Sequence, residues 1–430
     1  MKLFAWALYE FGATLFSMNI LSRYFALWVK EGLGASDLSY SVAYSGSLLL
    51  SLLILPLLGT VSDRLGRRMP FLWMATITVV LGTVAFSSAS SLPLILILFA
   101  VTNFGYQTSF LFFNTLLPKV SGSHDKVGPS AGYAVAFGYL GAIVGLLAVA
   151  PLVKAGGAVA AFLPTAILFF ITALPALIYI RDGNGRSLVI GIPEEKMSNG
   201  KFVLQSIHTA FVDLRDTLLT IHSRHPALYR FLIANLIFSD AINTATLFMA
   251  VYARRVAGYN DSQIDQFLIF STVFAIVGGL LFGRVVKRVG SYRGMQIVLA
   301  GWMAVLAGTL LFAKTPLFWA IGPMAGICFG GFWVAGRSLL VHLSPPEEIG
   351  KYFGFYSLTE KFTAVIGPLL WGVTVTLMTQ FGNEMLGYQL AVAELLIAVL
   401  FGFHLLRKVR SSNSGRPGAA PCCTSFSVRP

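Results

Sequence analysis

Charge is what this sequence has little of. Asp, Glu, Lys and Arg make up 11% of its 430 residues, against roughly 25% in ordinary soluble domains. With 56% apolar residues and a mean hydropathy of +0.76, this excludes a soluble enzyme, a disordered chain and a fibrous protein. An outer-membrane barrel is excluded as well, because its strands alternate polar with apolar residues and give weak hydropathy. Cysteine is scarce: Cys328, Cys422 and Cys423 stand in no metal-ligand or redox spacing. Cys328 reads as a packed small hydrophobe. Cys422 and Cys423 fall in a polar Pro/Gly-rich tail that reads as inert, with palmitoylation the alternative. No nucleophile–base pair, metal cluster or phosphate loop is visible, so no enzyme, metal or cofactor is expected. The lack of a Walker sequence removes ATP as the driving energy. The net charge of +13 comes from short basic clusters between apolar runs, which argues against a nucleic-acid partner. The first apolar run, Leu3 to Val29, is too long for a signal-peptide core.

What is present is apolar sequence in lengths that suit a bilayer. A spanning helix needs roughly 20 mostly apolar residues. Twelve such runs occur, at 3–29, 38–59, 70–89, 92–117, 128–152, 157–180, 226–253, 262–283, 292–313, 316–341, 352–380 and 386–406. The expected architecture is an all-α membrane protein of twelve transmembrane helices in two pseudo-symmetric six-helix bundles. Residues 1–180 form the first bundle, 226–407 the second, and 408–430 a polar tail. Residues 181–225 form a linker whose part from Val203 to Leu218 has the spacing of an amphipathic helix on the membrane face. With both termini in the cytoplasm, cytoplasmic segments hold 22 of the 31 Lys and Arg, and external loops hold five: Lys30, Lys154, Arg254, Arg255 and Lys314. That asymmetry sets the orientation. The expected location is a cell or inner membrane, or an organelle membrane in a eukaryote, as a monomer surrounded by lipid.

The chain repeats itself. Gly59-Thr60-Val61-Ser62-Asp63-Arg64-Leu65-Gly66-Arg67-Arg68 follows the second run, and Gly283 to Gly290, with Arg288, follows the eighth, 224 positions later. Asn114 and Arg337, each followed by a hydroxyl residue and two leucines, lie 223 apart, and Gly132 and Gly145 match Gly354 and Gly367 at 222. In the first loop the glycines permit a tight turn, and Arg64, Arg67 and Arg68 oppose translocation. Asp63 can meet a neighbouring helix N-terminus or an arginine, forming a latch present in one conformation only.

Gly59 to Arg68 resembles the loop signature of the major facilitator superfamily, and Gly283 to Gly290 its degenerate second copy. Ala7 to Phe11, Phe113 to Pro118, Gly138 to Gly141, Ser239 to Thr244, and Phe353 to Ser357 with Gly367 to Leu370 are similar to the vacuole-effluxer-like branch of that superfamily. The resemblance implies a transporter, with amino acids or similar solutes as first guess. The sequence departs from the branch at Glu10-Phe11-Gly12-Ala13-Thr14, where Asp-Phe-Ala-Asn-Ser is usual, and at Glu360 before Lys361, where Gly is usual.

Ionisable residues inside spans are costly and usually face an interior cavity. Glu10 with Thr14, Asp240 with Asn243 and Thr244, and the pair Glu360 and Lys361 are the candidates for a substrate and proton cavity near the midplane between the halves. Asn103 and Gln107 share one helix face and read equally as cavity lining or interhelical glue. Burial penalises a charged carboxylate, which suits reversible protonation. Arg337 reads as an anchor or pairing residue near a helix end, and Glu394 as structural. The function expected is secondary active transport of small organic solutes by alternating access, with protons as the coupling ion. A non-transporting membrane sensor or scaffold is the rival.

Overall fold

In hydrocarbon every backbone N–H and C=O must be satisfied within the chain, which leaves long helices as the form for such runs. A computed structural model describes residues 1–430 except 36, 90, 183–208, 210–211, 214, 218, 363–365 and 414–430. The expected amphipathic segment 203–218 and the tail from 414 therefore lie largely outside the described residues, and the side chain of Lys361 does also.

Twelve membrane-crossing helices follow one another in pairs. The first half has α1 (Lys2–Phe16), α2 (Asp37–Leu65), α3 (Met69–Ala85), α4 (Leu92–Thr115), α5 (Val127–Gly156) and α6 (Phe162–Tyr179). The second half has α7 (Pro226–Arg255), α8 (Asp261–Val289), α9 (Ser291–Phe312), α10 (Phe318–Leu343), α11 (Ile349–Phe362 and Ile366–Gln380) and α12 (Glu384–Asn413). Ten of these are long and apolar enough to cross a membrane by length and composition alone. The other two, α1 and α11, are described in shorter pieces. Past Phe16, α1 runs on through π-helical turns over Ser17–Tyr24 and Trp28–Gly32. Asn19, in the first of these, donates to the Gly145 carbonyl and to Thr165, which ties the widened segment to its own half.

Large apolar side chains such as Leu53, Leu81, Leu147, Leu311 and Ile397 stand on the outside of the bundle, where lipid rather than water is their solvent. The α2–α3 turn is made by Gly66 in the left-handed region, φ 63°, which a residue with a Cβ adopts at a cost. The loop ends of α2, α8 and α10 and the starting ends of α5, α7 and α11 share one end of the bundle, here the latch end. Close backbone approaches join the halves there. A Cβ at Gly59 would overlap the Gly350 carbonyl, one at Gly354 would overlap Pro56, and one at Gly132 would overlap the Gly279 carbonyl. Glycine at these points lets α2 lie against α11 and α5 against α8 with little between them.

Candidate functional site

Asp63 sits at the last turn of α2, 5% exposed. Its carboxylate oxygens accept the backbone N–H groups of Gly350 (3.0 Å) and Lys351 (2.8 Å), in the first turn of α11. Arg68 donates to it from its own loop at 3.0 Å. One carboxylate thus holds a helix N-terminus of the opposite half and an arginine of its own half, the two partners that residue type prefers. Neighbours brace the contact. Arg68 also donates to the Thr115 carbonyl, and Asp182 accepts the backbone N–H groups of Arg68 and Met69 at the start of α3. Arg64 pairs with Asp213 at 2.6 Å, and Lys351 with Glu348 at 2.6 Å. Arg67 has contacts of its own and lies near the surface.

The second copy of the loop does not reproduce this. Lys287 occupies the place of Asp63, 224 positions on, and a cation has no favourable contact with a helix N-terminus. The corresponding junction is apolar instead: a Cβ at Gly128 would press on Val286, and Gly283 lies against Gly128, Pro129 and Gly132. Gly290, with φ 85°, supplies the turn into α9. Arg288 points outward.

Deeper in the bundle Glu10 of α1 and Arg337 of α10 form a salt bridge of 2.9 Å across the two halves, their side chains 6% and 3% exposed. The guanidinium stands over the rings of Phe110 (5.2 Å) and Trp333 (5.7 Å). Arg337 Nη1 and Glu10 Oε2 are buried with no hydrogen-bond partner. The pair lines a chamber of about 180 Å³ with Thr14, Tyr106, Gly138 and Tyr139 among its walls. Gly138 is placed where a Cβ would reach Thr14 Oγ1 (2.9 Å) and Glu10 Cγ (3.0 Å), so the glycine gives this side chain its room. A second, more apolar chamber of about 330 Å³ adjoins it and shares Tyr139 and Phe329 as walls.

Asp240 on α7 is half-buried and accepts the Gly367 N–H at 2.8 Å. With Thr244 it packs against Gly367, where a Cβ would come within 2.8 Å of both carboxylate oxygens. Glu10 and Thr14 therefore have counterparts in Asp240 and Thr244, each 230 positions later, and each pair has a glycine against it, Gly138 in the first half and Gly367 in the second. Asn243 is half-buried and engaged. Glu360 is half-buried, close enough to Arg337 for mutual attraction.

Asn103 and Gln107 are placed differently. Asn103 donates to Ser47 of α2 at 2.7 Å and accepts from Gln107 at 3.2 Å. Asn103 binds α4 to α2 within the first half, Gln107 bonds to Asn103 on the same helix, and neither lines a chamber. Arg337 is the residue that sequence reasoning left outside the site. It reads in the sequence as an anchor or pairing residue near a helix end, and in the structure its partner is the cavity carboxylate 327 positions away. The signal available was the repeat, which puts Arg337 at the position of Asn114 in the buried face of α4. Among the described residues no group of His, Cys, Asp and Glu could hold a metal ion.

Comparison with known proteins adds to this geometry. The family model described as Major Facilitator Superfamily matches residues 11–322 and 260–428. The uncharacterized MFS-type transporter YxiO of Bacillus subtilis (strain 168) is 23% identical over 427 residues, 95% of each protein. Autophagy-related protein 22 of Cryptococcus neoformans var. neoformans serotype D (strain B-3501A) is 24% identical over 231 residues, 49% of this chain and 41% of that protein. The fold is similar to the crystal structure of a bacterial homologue of the iron transporter ferroportin in its outward-facing state, with a TM-score of 0.72, 16% identity, and 95% and 98% of the two chains covered.

Proposed function

The chain belongs to the major facilitator superfamily, and from that premise we propose that it is a proton-coupled secondary transporter of small organic solutes working by alternating access. The carrying observation is one arrangement: a cavity with a charged floor, Glu10 against Arg337, lies between two halves tied together at the latch end by Asp63. Alternation requires both ties to break. The Asp63 contact joins α2 to α11, so opening of the latch end must release Gly350 and Lys351. The Glu10–Arg337 pair joins α1 to α10, and substrate or proton arriving there changes what opening costs. The basic excess at the latch end makes it the cytoplasmic end, with both termini and residues 181–225. The state described is then outward-facing. Asp240 lines neither chamber; it stands at the contact of α7 with α11 and is the second acidic candidate as the pseudo-symmetric partner of Glu10. The test is a thermal-shift screen of purified protein against metabolites, followed by counterflow of each stabilising solute in proteoliposomes with and without a pH gradient. A stabilising solute that exchanges, and accumulates when the gradient is imposed, supports the reading. Stabilising solutes that never exchange contradict it and favour the sensor.

A further inference from the structure

We propose that the two adjoining chambers form one site for an amphipathic organic anion, with a compact monovalent oxyanion (carboxylate or sulfonate) against Arg337 and an apolar body beyond Tyr139 and Phe329. This deepens the transport reading and rests on it. The charged end is defined by donors. Arg337 Nη1 and Tyr139 Oη are buried in the wall of the first chamber without hydrogen-bond partners, and the complement of an arginine N–H beside a hydroxyl is an oxyanion. The guanidinium is held in place before any ligand arrives: Glu10 takes Nη2, and the rings of Phe110 and Trp333 flank it. A fork fixed in this way loses little freedom on binding.

The apolar end is defined by room and by lining. The second chamber, about 330 Å³, is walled by Met18, Met249, Phe267, Leu268 and Trp302 besides Phe329. Methionine and aromatic walls adapt to varied apolar shapes. The ring centroids of Tyr139 and Phe329 lie 6.4 Å apart, between the two chambers, so a ligand that occupies both passes these rings. Arg337 lies six residues from the latch end of α10, and Met249 six residues from the opposite end of α7. The chambers are therefore stacked along the bundle, with the charged one deeper toward the latch. A small polar solute would use the first chamber only. Glu10 Oε2 is the unpartnered acceptor in the same wall, and a cation reaching it would stand against the Arg337 guanidinium.

The experiment measures binding to the purified full-length protein by calorimetry, with three probes: 3-phenylpropanesulfonate, methanesulfonate and 3-phenylpropylammonium. The phenylpropanesulfonate is expected to bind about tenfold or more tightly than methanesulfonate, and the ammonium probe, equal in apolar body, is expected not to bind. Arg337→Gln abolishes sulfonate binding. Should that variant not fold, Glu10→Gln keeps the guanidinium and removes the competing carboxylate, so it binds the sulfonate about tenfold more tightly. Met249→Trp takes up part of the second chamber and lowers the advantage of the phenyl group. Ammonium binding equal to sulfonate binding, or sulfonate affinity unchanged in Arg337→Gln or Glu10→Gln, overturns the proposal. So does a phenyl advantage unchanged in Met249→Trp. Counterflow separates this from the transport reading. Sulfonate that binds as described but never exchanges in proteoliposomes contradicts transport and leaves the site standing. Exchange of other solutes without sulfonate binding overturns the site and leaves transport standing.

Discussion

Replacing Asp63 by Asn removes one charge and changes almost no volume, so its effect reports the latch alone. In the wild type the carboxylate receives two backbone N–H groups from α11 and one arginine. Hydrogen bonds to a charged partner contribute about 1.5–3 kcal/mol each, against about 0.5–1.5 for neutral ones. An amide keeps one oxygen as acceptor, at neutral strength. Its NH2 group faces the second N–H and cannot accept it. The arginine contact falls to a neutral one and survives in both states, because Arg68 travels with the same half. The part lost only from the latched state is about 2–3 kcal/mol. At 1.4 kcal/mol per tenfold this shifts the balance of states by roughly 30- to 160-fold. A wild type resting at about 99:1 in favour of the latched state would move to between about 3:1 and 0.6:1. Spin labels on cysteines placed at Lys126 and Lys287, both exposed at the latch end on opposite halves, read this as a second, longer distance in Asp63→Asn. The thermal unfolding temperature changes little, since either state stays folded, and transport slows. A wild-type distance distribution together with wild-type transport in Asp63→Asn refutes the latch.

Other outcomes follow from the same geometry. Arg337→Met leaves Glu10 buried without its partner and destabilises the protein by about 3–5 kcal/mol; Glu10→Gln in the same chain restores most of that, and thermal unfolding of the four variants checks the coupling. Asp240→Asn keeps an acceptor for the Gly367 N–H, so it folds and exchanges substrate but loses pH-driven accumulation; normal pH-driven uptake in a well-expressed variant shows that Asp240 carries no proton. Gly59→Ala prevents α2 from meeting α11 at Gly350 and lengthens the distance between the Lys126 and Lys287 labels; an unchanged distance contradicts the close packing. A cysteine at Ser223, exposed beside α7, is protected from an impermeant reagent added outside intact cells; rapid labelling reverses the orientation.

The architecture was legible because a bilayer demands about 20 apolar residues per span and the chain supplies twelve such runs in two similar sets. Asp63 stood out because neither it nor the glycines around it are needed for a basic loop to stay on one side. The cavity was harder to read. Periodicity puts Glu10 and Asp240 in the interior but says nothing of which arginine or backbone N–H meets them. The Glu10–Arg337 pair joins residues 327 positions apart, and no local pattern encodes such a distance. Asn103 shows the reverse difficulty: a polar face on α4 is equally compatible with a cavity and with a helix neighbour, and Ser47 decides for the neighbour. Asp240 is met by a backbone N–H of α11, a partner that no pattern of side chains displays.

The central claim is that the two ends of the bundle open in turn about the Glu10–Arg337 floor. The most direct measurement is a pair of distances in one preparation, between labels at Lys126 and Lys287 at the latch end and between labels at Lys154 and Lys314 at the opposite end. All four positions are exposed, one of each pair on each half. The account predicts two populations at each end that change in opposite senses when Asp63 becomes Asn: the latch-end distance lengthens as the other shortens. Distances that lengthen together, or a single fixed population at both ends, would contradict it.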